Sequence, residues 1–325
     1  MSQSIYVVTG ALGFVGFNLS IYLSVKGHKV IGLDKEDDNV GIRNWRKQNL
    51  ISNGIDIFES DISNKYKVLD FENKIKVYGQ VKSIFHLAGL AGVRKSLEIP
   101  SKYYDANLRG TLNIIQLALR SNIPSLVFSS TSSVYGDNIY DYGSKETDPK
   151  EPISPYANSK LLAEKVCELF SDTHDLNLSI VRYFTVYGPA GRPDMSILRF
   201  IDKIFKGKKI TIFGDGSQKR DFTYIDDICE GTFLSSESSG FNTFNLGRSE
   251  PVKLIEIVRL IEEISNKKAD IEFAPANSLD VNKTFADIER AKNILGWKPN
   301  KSVKRGLLET FEWYRNNIDS IGNLE

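Results

Sequence analysis

The chain has 325 residues, of which 41% are hydrophobic and 26% charged, and its formal net charge is +1. That composition supports one large or two ordinary packed domains, and the scattered Lys and Arg argue against a nucleic-acid stripe or a polybasic membrane patch. The two cysteines, Cys167 and Cys229, stand far apart without metal-ligand spacing, so they are expected as buried, inert thiols in a reducing compartment.

The first apolar stretch starts at Ile5 and is broken by Thr9, Gly10 and Gly13. It is too short for a membrane span and lacks a signal-peptide pattern, so a soluble cytoplasmic protein is expected. "IYVVTG" reads as a buried strand, and a helix is predicted over 14–26. Between them Gly10, Gly13 and Gly16 form a G-x-x-G-x-x-G turn. Glycines there allow a tight turn and close backbone approach, and the helix start offers unpaired N–H groups to a pyrophosphate. "KVIGLD" is the second strand and ends on Asp34, 18 residues after Gly16. A carboxylate at that place can accept both ribose hydroxyls and repels a 2′-phosphate, favouring NAD over NADP, although Lys35 stands beside it. "IDIFESD" is the third strand, followed by Asp61, which either meets an adenine amino group or caps a turn.

"KSIFHLAG" is the fourth strand, and a helix is predicted over 101–121. "SLVFSS" is the fifth, leading into "SSTSSVYG". Thr131 there can bind a reacting oxygen and relay its proton, with Ser132 and Ser133 as small polar neighbours. A helix predicted over 155–173 carries Tyr156 and Lys160, four residues apart and so on one face. A phenol is a poor base at neutral pH; lowering its pKa by about three units needs roughly 4 kcal/mol, which a lysine ammonium and an oxidised nicotinamide in a dry cleft can supply.

"LSIVRYF" is the sixth strand. Beyond about residue 183 loops lengthen, and helices over 196–206, 253–265, 287–295 and 303–317 separate short strands. The expected fold is α/β: a Rossmann-type doubly wound parallel sheet over 1–182 with a smaller α/β lobe over 183–325, the sheet being rejoined by the region 220–247, whose "FNTFNLG" reads as a strand. In "VYGPAGRPDM", Pro189 and Pro193 bar a helix, so Arg192 is held on a loop, facing either a ligand's negative charge or Asp194. His28, His86 and His174 are assigned no catalytic role, and no metal site is expected.

Together Gly10, Gly13, Gly16, Asp34, "HLAG" at 86–89, Thr131, Tyr156, Lys160, "RDFTYIDD" at 220–227, "NLG" at 245–247 and "LGWKP" at 295–299 resemble the extended short-chain dehydrogenase/reductases that act on nucleotide sugars. The resemblance implies a cofactor site for NAD built from Gly10, Gly13, Phe14, Val15, Gly16, Asp34, Asp61, Ile62, Leu87, Ala88, Asn107, Tyr156, Lys160 and Tyr183, with Thr131, Tyr156 and Lys160 catalytic. Dehydratases of this family carry an Asp-Glu pair after the threonine, and UDP-glucuronate decarboxylases a glutamate before Val-Tyr-Gly; Ser132 and Ser133 stand there instead. That points to 4-epimerisation, which needs only reversible hydride and proton transfer.

"GRPDM" and "AGVRKS" resemble the UDP-glucuronate 4-epimerase subgroup, which places Arg192, with Arg94 as second candidate, near the sugar carboxylate. The same resemblance implies Arg220 at the diphosphate, Thr211 and Phe213 at uracil, Asp280 at its ribose, Thr185 beside the sugar, and a homodimer built on the helices over 101–121 and 155–173. Two departures stand out: Asn277, where relatives often have arginine, and Gly89, where alanine is commoner and where only a methyl beside the cofactor is expected to be lost. The expected activity is UDP-glucuronate to UDP-galacturonate interconversion. The alternatives are a neutral UDP-sugar 4-epimerase, a UDP-glucuronate decarboxylase and a non-catalytic NAD-binding scaffold.

Overall fold

The computed structural model describes residues 3–35, 41–137, 142–276, 281–322 and 324. The apolar runs form six strands, β1 (Ile5–Thr9), β2 (Lys29–Asp34), β3 (Asp56–Glu59), β4 (Val81–His86), β5 (Ser125–Thr131) and β6 (Asn177–Tyr183). A seventh strand, Phe241–Leu246, completes one parallel sheet in the order Phe241–Leu246, β6, β5, β4, β1, β2, β3. Strand order reverses between β1 and β4, and in such sheets ligands bind beyond the strand carboxyl ends at that reversal. The register sets Thr9 against His86 and Thr131 against Tyr183, so these residues end their strands on one edge.

Because successive strand residues face opposite ways, each apolar run feeds two cores. In β1, Tyr6 and Val8 join one cluster and Val7 the other; in β5, Val127 opposes Leu126 and Phe128. The helices that cover the sheet are α1 (Phe14–Val25), α2 (Ile42–Ser52), α3 (Lys65–Ile75), α4 (Val93–Glu98), α5 (Pro100–Tyr104), α6 (Gly110–Arg120) and α7 (Pro155–Thr173). The single helix expected over 101–121 is interrupted by a π-helical turn, Asp105–Arg109, that puts Asn107 inward. Such turns are frequent at functional sites.

The smaller lobe places helices Ser196–Phe205, Leu254–Ser265 and Val303–Ile321 around short paired strands, Ile210–Phe213 with Ile271–Ala274 and Lys219–Arg220 with Val252–Lys253 and Lys283–Thr284. Its Phe200, Ile257 and Leu307 share one apolar cluster with Phe85 and Val127 of the sheet. A buried ion pair fixes α7 to the sheet: Arg182 of β6 donates to both Glu164 oxygens at 3.0 and 2.7 Å, and Ser130 of β5 also donates to Glu164. Cys167 and Cys229 are buried free thiols whose pKa values burial pushes up.

Candidate active site

At the edge of β1 the backbone turns on Gly10, whose φ of +73° is left-handed and whose added Cβ would stand 2.7 Å from Ala88 N. A Cβ on Gly16 would stand 2.0 Å from Gly10 O, so neither glycine can be replaced without moving the turn. Gly13 is the cap residue of α1, with no side-chain hydrogen bond to the helix start and no acidic residue in its first turn. Asp34, at the end of β2, accepts N–H bonds from Leu12 and Lys35, both at 2.8 Å. A close turn, an uncapped helix start and a carboxylate one strand over suit a dinucleotide's pyrophosphate and ribose, so the residues fit NAD.

The remaining cofactor candidates divide. Leu87 and Ala88 leave β4 half-buried beside the turn, Ala88 N donating to Thr9 Oγ1 at 3.2 Å. Phe14 lines a pocket together with Thr185, Gly191 and Arg192, and Val15 packs half-buried on the core. Asp61 accepts Ser63 N–H and hydroxyl on one oxygen, at 2.9 and 2.7 Å, which is the turn-capping alternative. Ile62 is core: it packs against Gly110, and its carbonyl accepts from Asn113 at 2.7 Å. Asn107 is spent on protein contacts, accepting Leu90 N–H at 2.8 Å and donating to Leu90 O and Ser159 Oγ. The Tyr183 phenol bonds Thr232 at 2.9 Å and is turned into the core.

Ser154 caps α7 by accepting Ala157 N–H at 3.2 Å, and Pro155 opens the first turn, so Tyr156 stands at the helix entrance. The phenol lies near Thr131, whose hydroxyl donates to Ser133 Oγ at 3.2 Å and accepts Ser133 N–H at 3.1 Å. Desolvation raises the Tyr156 pKa; Thr131 and the charge of Arg192 pull it down. Lys160, one helical turn on, is the second cation expected beside the phenol. Lys160 is buried with its ammonium 4.2 Å from the centre of the Phe128 ring, and desolvation lowers its pKa to about 8.

Arg192 stands near enough for its charge to act on Tyr156 and Tyr103, and it lines a pocket with Phe14 and Thr185. It is also gripped by Asp194, Nε to Oδ1 at 3.0 Å and Nη2 to Oδ2 at 2.5 Å, so the alternative partner is real as well. Arg94 lies over the Phe213 ring at 4.3 Å, joining two residues expected on the substrate side. Arg220 donates to the carbonyl of Lys219 at 2.9 Å beside the strand Lys283–Thr284, and Thr211 is half-buried in the strand Ile210–Phe213. Ser132 and Ser133 form a 3-10 turn directly after Thr131. Asn277 and Asp280 lie outside the described residues.

The family model for the NAD dependent epimerase/dehydratase family matches residues 6–247. This chain belongs to that family. A UDP-glucuronate 4-epimerase of Thermodesulfobacterium geofontis is 40% identical over 98% of this chain and 99% of that protein. UDP-glucuronate 4-epimerase 4 of Arabidopsis thaliana is 36% identical over 95% of this chain and 74% of its own length. Among solved structures, UDP-glucuronic acid 4-epimerase from Bacillus cereus, in complex with UDP-glucuronic acid and NAD, has a TM-score of 0.86 at 31% identity, covering 96% of this chain and 99% of that one. UDP-glucose 4-epimerase from Thermotoga maritima, with UDP-glucose, has a TM-score of 0.88 at 29% identity over 97% and 99%. The fold is therefore common to family members named for charged and for neutral sugars, and the choice between them falls to the site.

The Gly89 departure has a local structural setting. A Cβ there would stand 2.7 Å from Asn107 Oδ1 and 3.8 Å from Lys160 Nζ, so glycine makes room for the Asn107–Leu90 bonds beside two cofactor candidates. Sequence reading missed Arg43, which donates to Asp34 at 2.7 Å; His86, given no catalytic role there, is fully buried between Thr9 and Thr111. A cation nine positions after the strand-end aspartate was a usable signal for Arg43. Among the described residues no group of His, Cys, Asp and Glu suits a metal, and no helix is long and apolar enough to cross a membrane.

Proposed function

We propose that this protein interconverts UDP-glucuronate and UDP-galacturonate by inverting the sugar C4 centre. The observation that carries the reading is the gathering of Tyr156 at the start of α7, Thr131 at the end of β5 and the loop guanidinium of Arg192, which lines a pocket with Thr185 and whose charge acts on the phenol. Bound NAD supplies the acceptor, and later the donor, of one hydride at C4. Tyr156 takes the proton of the 4-hydroxyl, Thr131 holds that oxygen, and the same phenol returns the proton after the sugar has presented its other face. Lys160 keeps a positive charge beneath the site, over Phe128. Gly10, Gly13, Gly16 and Asp34 hold the cofactor.

A 4-keto uronate is a β-keto acid that loses carbon dioxide easily. Arg192, braced by Asp194, supplies a charged fork against the carboxylate and fixes its direction. No acid stands at Ser132 or Ser133 to eliminate water. A second reading, 4-epimerisation of a neutral UDP-sugar, draws its support from the same ion pair, because Asp194 already partners the guanidinium. The family, the buried free thiols and the exposed Leu162 and Leu169 of α7 support a homodimer in the cytoplasm.

The test is incubation with UDP-glucuronate without added cofactor, with products read by NMR. UDP-galacturonate is expected. UDP-xylose as the main product indicates the decarboxylase, and conversion of UDP-glucose alone indicates the neutral-sugar epimerase.

A further inference from the structure

Arg46 sits on α2, is 5% exposed, and makes no ion pair with any described carboxylate. All its bonds go to backbone carbonyls from two distant segments. Nη1 donates to Leu12 O at 3.0 Å, inside the glycine turn. Nε and Nη2 donate to Ala190 O at 3.2 and 2.7 Å, and Nη2 also to Gly191 O at 2.7 Å. The next residue is Arg192.

A buried cation without a counter-carboxylate is unfavourable unless several acceptors surround it. Here they do, and the loop is shaped to supply them. Ala190 is fully buried with a φ of +54°, a left-handed backbone that residues with a Cβ rarely adopt. A second tie runs parallel: Asn18 of α1 donates to Pro189 O at 3.2 Å and to Phe14 O at 2.9 Å. The groups whose charge reaches Arg46 are the cations Arg43 and Arg192 and the carboxylates Asp34 and Asp194. Burial first, then those cations, pushes its pKa down to about 9, and it stays charged at neutral pH. A planar fork with five donors makes four bonds to three carbonyls of two segments; an ammonium has three donors on one atom and cannot match that spread.

We propose that Arg46 is a positioning residue: it locks the cofactor turn and the Arg192 loop into one register, and so fixes where Arg192 meets the substrate. The substrate half of this claim rests on the UDP-glucuronate reading.

The test uses the full chain with Arg46→Gln and the gentler Arg46→Lys, which carries the experiment if the first does not fold. Hydrogen exchange is followed in segments 10–16 and 186–195, together with KM and kcat for UDP-glucuronate and Kd for UDP alone. Arg46→Gln is expected to speed exchange in both segments tenfold or more while the β4 and β5 amides hold. KM for UDP-glucuronate should rise about tenfold with Kd for UDP within twofold, and Arg46→Lys should recover part of each. In combination with Arg192→Lys the KM effects should multiply to less than their product. Exchange that quickens evenly along the chain, or in neither segment, overturns the proposal, as does full multiplicativity with Arg192→Lys. If the unaltered protein does not turn over UDP-glucuronate, the substrate reading has failed, and the exchange pattern alone decides the role of Arg46.

Discussion

Tyr156 illustrates how a single side chain is tuned by opposing neighbours. Its place among Thr131, Tyr103 and the loop strips water from the phenol and raises its pKa, while Thr131 and Arg192 act the other way. Two consequences are measurable. Replacing Tyr156 by Phe removes the proton acceptor and should lower kcat on the order of 10²–10⁴-fold while leaving NAD binding intact. Replacing Arg192 by Gln removes a cation that favours the phenolate, so the phenol pKa rises. The acidic limb of kcat/KM then moves to higher pH, whichever sugar is used. A limb that stays in place would show that Arg192 does not act on the phenol.

The helix α7 is the element that turns sequence spacing into a site. Ser154 and Pro155 start it, Tyr156 and Lys160 share its inner face, and Glu164, one turn on, is tied to Arg182 and Ser130 of the sheet. Its start therefore sets the phenol's position, and its middle is anchored independently. Ser154→Ala should cost about 1 kcal/mol of stability in urea denaturation. It should also reduce kcat more than NAD affinity, since Tyr156 is in the freed first turn. An unchanged kcat at that loss of stability would show that the Glu164 anchor alone holds the phenol. The π-helical turn before α6 works in the same way, bringing Asn107 inward to bind the Leu90 loop and Ser159, the neighbour of Lys160.

For the molecule as a whole, the two central strands are joined under the site by His86. Thr111 donates its proton to Asn107 O, so it must accept from Nε2–H, and Nδ1 is left to accept from Thr9. The imidazole is thus neutral, and burial lowers its pKa from 6.5 to about 3, with the charge of Lys160 adding to the effect. The unfolded chain takes up that proton below pH 6.5 and the folded chain does not until about 3. Stability from this group is therefore complete above 6.5 and falls as pH drops towards 3, at roughly 1.4 kcal/mol per pH unit at most. His86→Gln should destabilise at pH 7.5, and the gap to the natural chain should narrow on acidification from pH 6.5 to 4.5. A gap constant across that range in urea titrations would show that His86 is protonated in the fold.

What could be read from the chain alone was everything carried by near neighbours: apolar runs that make parallel strands, glycine spacing that makes the turn, and a Tyr and Lys one helical turn apart. The strand end at Asp34 and the small pair Ser132–Ser133 belong to the same class. What only the folded molecule decided depends on residues far apart in sequence. Arg46 meets carbonyls 144 and 145 positions away, Asn107 meets Ser159, and the Lys160 ammonium lies over the Phe128 ring. Local preference acts through a few bonds of backbone and leaves a periodic trace, whereas a hydrogen bond or a charge across the sheet leaves none, because packing alone determines which distant groups arrive within reach.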